Sequence, residues 1–568
     1  MTRAIAYPSS SRSEGRLLTL VLGLAILVTL APVARLFHEG LTAGGGLNPG
    51  FLAEVLSKPA TRSALWHSLV TAGLGTLISV LIGGVFAFLV ALTDLRRKAA
   101  LVFCLMIPMM IPPQITALSW TQVMGPSSVF LKTLGLAPPL GAPQPLYSPG
   151  GIILLLGIQH TSIIFLTLRA GLRAIPQDAV EAARISGARG LRIWWQVVLP
   201  LTLPSLLGGI AITFVTALGN FGIPAMLGIP AGYATLPTLI YQRLAGLGTA
   251  VLAEVAVLAM LIGAVAIAGI LLQRFFQRRQ RLHLTGSGGR ALMIPLGRAR
   301  LPVEIALWLV IAAILVLPMA GLLATSLVPA YGVPLRLDTL SLDGWHEALF
   351  RQPATRRAFV NSFLLSAGAA ALLMALCLPL AWLMERHKTR AGQLFDSLLD
   401  LPYALPGVVL AIAMILLLIN LPFTEATLYG TIWIIFLAYL ARFLAVMFRP
   451  VQSSLRQLDP AMDEAARAVG APLWRRLRDI ILPLSAPAAA AGAILVFLTA
   501  FNELTVSALL WSSGTETLGV VIFNLDDSGE TVMASAVAMT IVLVVMFLMA
   551  VIQLTSRHLP KGVVPWQS

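Results

Sequence analysis

The strongest constraint on this chain is a series of twelve apolar runs. Each is long enough to cross about 30 Å of hydrocarbon as a helix of roughly 20 residues. In the first half they fall near residues 17 to 37, 64 to 93, 99 to 123, 150 to 169, 203 to 223 and 250 to 272. In the second they fall near 304 to 326, 358 to 384, 401 to 420, 428 to 448, 486 to 505 and 533 to 554. Only 11% of the 568 residues are charged and 58% are hydrophobic, whereas soluble domains carry roughly 25% charge. The solvent for such a chain is a bilayer, where the backbone must satisfy its own polar groups, and the fold class is all-α: an integral membrane protein of about 12 transmembrane helices. Arg3, Arg12 and Arg16 precede the first run as in a secretory signal, but no small-residue cleavage site follows, so the run reads as an uncleaved first span.

The net charge of +15 sits in short clusters between apolar runs rather than along one polar face, which excludes a nucleic-acid surface and indicates topology signals. With the basic N-terminus inside, alternate loops should also be inside and basic. Loop 2 to 3 carries Arg96, Arg97 and Lys98; loop 4 to 5 carries Arg173, Arg184, Arg189 and Arg192. The linker from Arg274 to Arg300 holds seven arginines and no acidic residue. Arg386, Lys388 and Arg390, then Arg467, Arg475, Arg476 and Arg478, and finally Arg557 and Lys561 continue the pattern. Both termini are expected in the cytoplasm, with lipid around the spans. Cys104 and Cys377 both lie in apolar runs, without metal-ligand spacing.

The halves repeat. Ile107-Pro108-Met-Met-Ile111-Pro112 matches Leu401-Pro402-Tyr-Ala-Leu405-Pro406 at an offset of 401 − 107 = 294. Glu181-Ala182-Ala183-Arg184 matches Glu464-Ala465-Ala466-Arg467 at 464 − 181 = 283, and this offset continues through Pro204 and Pro487 and through Phe214 and Phe497. The difference, 294 − 283 = 11 residues, fits in the Gly/Pro-rich loop near 124 to 149. Six spans per half make the repeat parallel, about an axis along the membrane normal, with a pathway between the halves. The division is a first half at 1–273, a basic linker at 274–300 made flexible by Gly286, Gly288 and Gly289, and a second half at 301–568. Pro108, Pro112, Pro402 and Pro406 are candidate gating kinks, since proline removes a backbone hydrogen bond.

The loops before spans 5 and 11, 181–200 and 464–483, read EAARISGARGLRIWWQVVLP and EAARAVGAPLWRRLRDIILP. They resemble the EAA loop of permease subunits in binding-protein-dependent ABC importers: Glu-Ala-Ala, three residues, Gly, nine residues, Ile, one residue, Leu-Pro. The second copy fits throughout and the first departs only at Val197. The resemblance implies a coupling helix that docks on an ATPase, carried here by Glu181, Ala182, Ala183, Gly187, Leu199 and Pro200, and by Glu464, Ala465, Ala466, Gly470, Leu482 and Pro483. In this reading Leu-Pro opens the next span. The sequence contains no Gly-x-x-x-x-Gly-Lys-Ser/Thr, so this chain cannot bind ATP by a P-loop and the use of ATP and Mg falls to separate subunits; the two coupling loops imply two ATPase copies, and no cofactor is expected on this chain. The resemblance also implies a periplasmic solute-binding protein on the outer face and, with it, a place in the inner membrane of a bacterial cell. The fused arrangement and the span 9 sequence LPYALPGVVLAIA look most like ferric iron permeases, with thiamine, 2-aminoethylphosphonate and polyamine permeases as alternatives.

Ionisable groups inside spans are costly and therefore informative. Asn502 and Glu503, at the outer end of span 11, align with Gly219 and Asn220 in span 5 and are candidate pathway residues, weighed against interfacial snorkelling of Glu503. His67 and Glu254 lie near span ends. An ion-gradient transporter would also show two six-span halves, but its usual loop 2 to 3 motif is absent, because Asp94-Leu-Arg-Arg-Lys98 lacks both glycines. No carboxylate pair, His cluster or Ser/His set recurs at membrane depth, which disfavours an enzyme, and no metal-ligand set is expected.

Overall fold

The computed structural model describes residues 12–42, 45–139, 141–175, 177–188, 191–246, 251–279, 293–420 and 426–555. The linker glycines Gly286, Gly288 and Gly289, and the basic residues Arg3, Arg189, Arg557 and Lys561, lie outside them. Ten continuous helices match ten of the runs: Glu14–Thr42, Pro59–Leu92, Pro149–Arg173, Trp194–Leu218 and Val251–Gln273, then Gly297–Ser326, Pro353–His387, Ile432–Arg456, Leu473–Phe501 and Thr531–Val551. Among the described residues no strand forms, only an isolated bridge between Thr93 and Ile294.

Spans 3 and 9 are not continuous. Lys98–Met110 meets Pro113–Thr121 at 97°, and Arg390–Tyr403 meets Gly407–Leu418 at 108°. These are breaks rather than kinks, and proline chemistry explains them: the residue before a proline is pushed out of the helical region. Ile111 and Leu405 accordingly adopt extended backbone, with ψ of 129° and 140°. Pro112 and Pro406 stand at the breaks, whereas Pro108 lies inside the preceding helix and Pro402 in the first turn of Leu401–Ala404.

Each broken pair nevertheless crosses the whole bundle. Asp94, just before the first pair, accepts from the amide of Leu296 (2.9 Å) at the start of span 7. Beyond that pair, Lys132 donates to the Gly332 carbonyl (2.8 Å), past the far end of span 7. For the second pair, Arg449 near the end of span 10 bonds Asp396 and Asp400 at 2.6 Å each, while Leu428, ahead of span 10, donates to the Leu418 carbonyl (3.0 Å). With each bent pair taken as one span the described residues supply twelve, and the basic loops share one face.

A carbonyl freed inside a membrane has no water to turn to. In the first half Gln159 of span 4 fills the need, donating to the carbonyls of Pro108 (2.8 Å) and Ile111 (3.0 Å). The equivalent residue of span 10 (159 + 283 = 442) is Arg442, which donates to the Leu405 carbonyl at 3.4 Å. Spans 2 and 4 approach closely enough that a Cβ on Gly83 would lie 2.6 Å from the Thr161 carbonyl.

The halves interlock through these broken spans. Gly407–Leu418 packs against spans 1 and 6 of the first half, and Pro113–Thr121 packs against spans 7 and 12 of the second. On the basic face span 6 extends to Arg279, and the chain returns at Ile294, whose amide bonds the Leu92 carbonyl (2.6 Å). The Leu296 amide, aided by Arg300, holds the Asp94 carboxyl below its usual range. Gln159→Leu removes the amide from the first break and leaves buried acceptors unpaired, at about 1–3 kcal/mol. A lowered unfolding midpoint of the detergent-solubilised protein is the expected reading.

Candidate functional site

The two repeated loops form matching devices on the basic face. Gln177–Ile185 and Pro460–Ala468 are short helices in which Glu181, Ala182, Glu464 and Ala465 are exposed, while Ala183 and Ala466 are half-buried. Both helices end in the same cap. Ala188 donates to the Ala183 carbonyl and Gly187 to that of Arg184; Ala471 donates to Ala466 and Gly470 to Arg467, all at 2.9–3.0 Å. This is the Schellman arrangement, which needs a left-handed residue, and Gly187 and Gly470 supply φ of +86° and +78°. Beside the caps Ile185 is 88% and Val469 84% exposed.

Beyond each cap the helix is continuous with the following span, so Leu199-Pro200 and Leu482-Pro483 lie inside it. This corrects the expectation that Leu-Pro opens the span near 203 or 486. A π-turn precedes each pair, Trp194–Val198 and Leu477–Ile481, and the Leu199 and Leu482 amides reach back five residues to Trp194 and Leu477. Widening the turn accommodates a proline that has no N–H and crowds the carbonyl four residues back. Leu317-Pro318 follows a third such turn, Ala312–Val316.

At membrane depth the halves meet where these spans end. Asn502 Nδ2 donates to the Met110 carbonyl (3.3 Å) at the first break. At the equivalent place in the other half, a Cβ on Gly219 would lie 2.9 Å from that of Pro406 at the second. Glu503 is not at a watery span end but 7% exposed. Its carboxylate accepts from the amides of Val506 (2.9 Å) and Ser507 (3.2 Å), which rules out snorkelling. Asn220 repeats the role by accepting from Ile223 (3.1 Å).

A family model described as the binding-protein-dependent transport system inner membrane component matches residues 75–282 and 377–563. Those segments make up most of the chain and hold one loop each. The chain belongs to this family. It is the membrane permease of an ABC importer, a role that implies an ATPase and a binding protein as partners and displaces the ion-gradient alternative. It is 29% identical over 89% of both chains to a probable ABC transporter permease protein, y4fN, of Sinorhizobium fredii. To the Fe(3+)-transport system permease protein FbpB 2 of Haemophilus influenzae it is 25% identical, covering 93% of this chain and 95% of that one. To the ferric transport system permease protein FbpB of Actinobacillus pleuropneumoniae it is 23% identical, covering 94% and 76%.

Other polar groups in the permease are engaged locally. His67 Nδ1 lies 2.9 Å from the Ala234 carbonyl and its ring stacks on Tyr233 at 3.7 Å. Glu254 pairs with Lys58 (3.1 Å) and Arg243 (3.5 Å). Among the described residues no group of three His, Cys, Asp or Glu side chains is placed to hold a metal ion. Sequence reasoning passed over Gln159 and Arg442, although an arginine in the run 428 to 448 was itself a signal. In the loops, Gly470→Ala places a side chain in the left-handed region, at about 1–2 kcal/mol. Faster amide exchange confined to Pro460–Ala468 and its cap is the expected result.

Proposed function

We propose that this permease imports ferric iron delivered by a periplasmic binding protein, driven by two ATPase copies that dock on the loops around Glu181 and Glu464. The observation that carries the docking assignment is the duplication of one exposed, identically capped helix on the basic face. Glu181 and Glu464 offer a carboxylate to a basic partner, Ala182, Ala183, Ala465 and Ala466 permit close helix approach, and Gly187 and Gly470 turn the chain away. Leu199-Pro200 and Leu482-Pro483 then pass the movement into spans 5 and 11 without a joint. ATP and Mg belong to the ATPases. The basic face, and with it both termini, is cytoplasmic under the positive-inside rule.

The names of two relatives that span nearly the whole chain support iron as cargo. Its pathway runs between the halves, past Asn220, Asn502 and Glu503, and is closed where Asn502 meets Met110 and Gly219 meets Pro406. Movement of spans 5 and 11 draws those contacts apart, with the breaks at Pro112 and Pro406 as the yielding points. Pro108 and Pro402, one turn earlier, soften the approach to each break.

The permease is co-purified with its ATPase and reconstituted in liposomes with a ferric-binding protein. Stimulation of ATP hydrolysis by the iron-loaded protein supports the cargo, and stimulation by a thiamine-, phosphonate- or polyamine-loaded protein instead overturns it. Glu181→Lys with Glu464→Lys should abolish ATPase association; unchanged assembly overturns the docking assignment. Glu503→Gln keeps an acceptor for the Val506 amide and removes the charge. It is expected to slow iron uptake about tenfold with ATPase association unchanged, and wild-type uptake would remove Glu503 from the pathway.

A further inference from the structure

The two loops share a backbone but not an anchorage. Beneath the second, Arg476 (3% exposed) grips Asp463 through two bonds, Nε to Oδ1 at 2.7 Å and Nη2 to Oδ2 at 2.8 Å. Its remaining nitrogen Nη1 reaches Glu14 Oε1 at 2.8 Å. Glu14 is 1% exposed and stands at the start of span 1, in the other half of the protein. Arg386, at the end of span 8, closes the ring by contacting both Asp463 and Glu14, the latter at 3.3 Å. His387 Nε2 lies 3.3 Å from Glu14. The Trp382 ring faces both guanidinium groups, 5.1 Å from Arg476 and 5.5 Å from Arg386. Two carboxylates balance two guanidinium groups, so the cluster is neutral when His387 is uncharged.

Among the described residues, the first loop has no counterpart of this cluster. The positions equivalent to Asp463 and Arg476 are 463 − 283 = 180 and 476 − 283 = 193, and they hold Val180 and Ile193, both buried. The equivalents of Arg386 and Trp382 are 386 − 294 = 92 and 382 − 294 = 88. These are Leu92, buried, and Phe88, which meets Trp194 edge-on at 5.0 Å. Span 7, the counterpart of span 1, ties its first turn to loop 2 to 3 instead: Arg300 bonds Asp94 (3.6 Å) and Glu304 accepts from the Arg96 amide (2.7 Å).

We infer that the two ATPase docking loops are mechanically unequal: the Glu14–Arg386–Asp463–Arg476 cluster clamps the second loop to both halves at once, whereas the first loop moves with its own half. The inference rests on the docking assignment above. Removing one member of a buried ion cluster leaves a charge unpaired, whereas replacing a whole pair by apolar groups often preserves stability. The first loop shows which apolar pair fits that backbone. A push at Glu464 and Gly470 therefore reaches span 1 through Glu14 and span 8 through Arg386, while in the first loop the equivalent positions, Val180 and Ile193, offer apolar packing in place of the ion cluster. The clamp serves transmission and not docking, because Glu14, Asp463 and Arg476 are buried while Glu464, Ala465 and Val469 face solvent.

The test uses the full permease–ATPase complex with its binding protein in liposomes. Asp463→Val with Arg476→Ile transplants the first loop's pair and leaves Glu14 opposite Arg386. ATPase association and basal hydrolysis should match wild type, while solute transported per ATP hydrolysed falls at least fivefold. Glu14→Gln alone, which leaves the loop sequence intact, should move the same ratio in the same direction, and it decides the matter if the double variant does not fold. The volume-conserving exchange Val180→Ile with Ile193→Val in the first loop should change the ratio less than twofold. A wild-type ratio in Glu14→Gln overturns the clamp, as does loss of ATPase association in a well-folded cluster variant, which would make the cluster part of the docking surface. Failure of the docking assignment registers separately, as unchanged ATPase association in the Glu181→Lys, Glu464→Lys protein.

Discussion

Everything in this permease depends on how a broken helix is tolerated where no water can repair it. Pro112 and Pro406 free backbone carbonyls inside the bundle, and an unpaired polar group there costs several kcal/mol. The repair is one side chain from the neighbouring span, Gln159 in one half and Arg442 in the other. Only because that donor is present can the chain turn through about a right angle at membrane depth and bring the break of one half against the span end of the other. The interlock, the junction at Met110 and Pro406, and the seating of Asn502 all follow from it.

The halves have diverged under a consistent rule. Where the first half has neutral Gln159 and Asn220, the second has Arg442 and Glu503; where the first loop rests on Val180 and Ile193, the second rests on Asp463 and Arg476. Each site gained one acid and one base, and beneath the loop the two are directly paired, Arg476 with Asp463. In a low dielectric an added charge is less costly with its opposite nearby, since a lone buried ion carries its full desolvation cost and an opposite charge offsets part of it.

The sequence made the spans legible because bilayer thickness leaves one solution for each apolar run, and it made the loops legible because spacing and glycine positions recur intact. The prolines marked where spans 3 and 9 would yield. The size of the bend was not readable, since it depends on a donor in another span, and Gln159 looks like any polar residue in a helix. Burial of Glu503 was also hidden: its position in the chain suggested a water-exposed span end, and only tertiary structure folds the following segment back over it. The unbroken passage from loop to span escaped notice because Leu-Pro ordinarily signals a helix start, and a π-turn cancels that signal. Least legible was the cluster around Arg476, which joins residues 462 positions apart.

Fusion of the halves gives these differences their meaning. Two identical chains about a two-fold axis must present identical loops, so any clamp on one would appear on both. A single chain is free to hold one loop rigidly and leave the other on an apolar cushion. Beside the axis the halves meet through Asn502 on Met110, Gly219 on Pro406, and Phe523 against Phe221 and Tyr241, whereas spans 1 and 6 pack against the end of span 9 and spans 7 and 12 against the end of span 3. On the proposed docking, displacement of the second loop reaches its half along two routes, through span 11 directly and through Glu14 on span 1, whereas displacement of the first loop has the route through span 5.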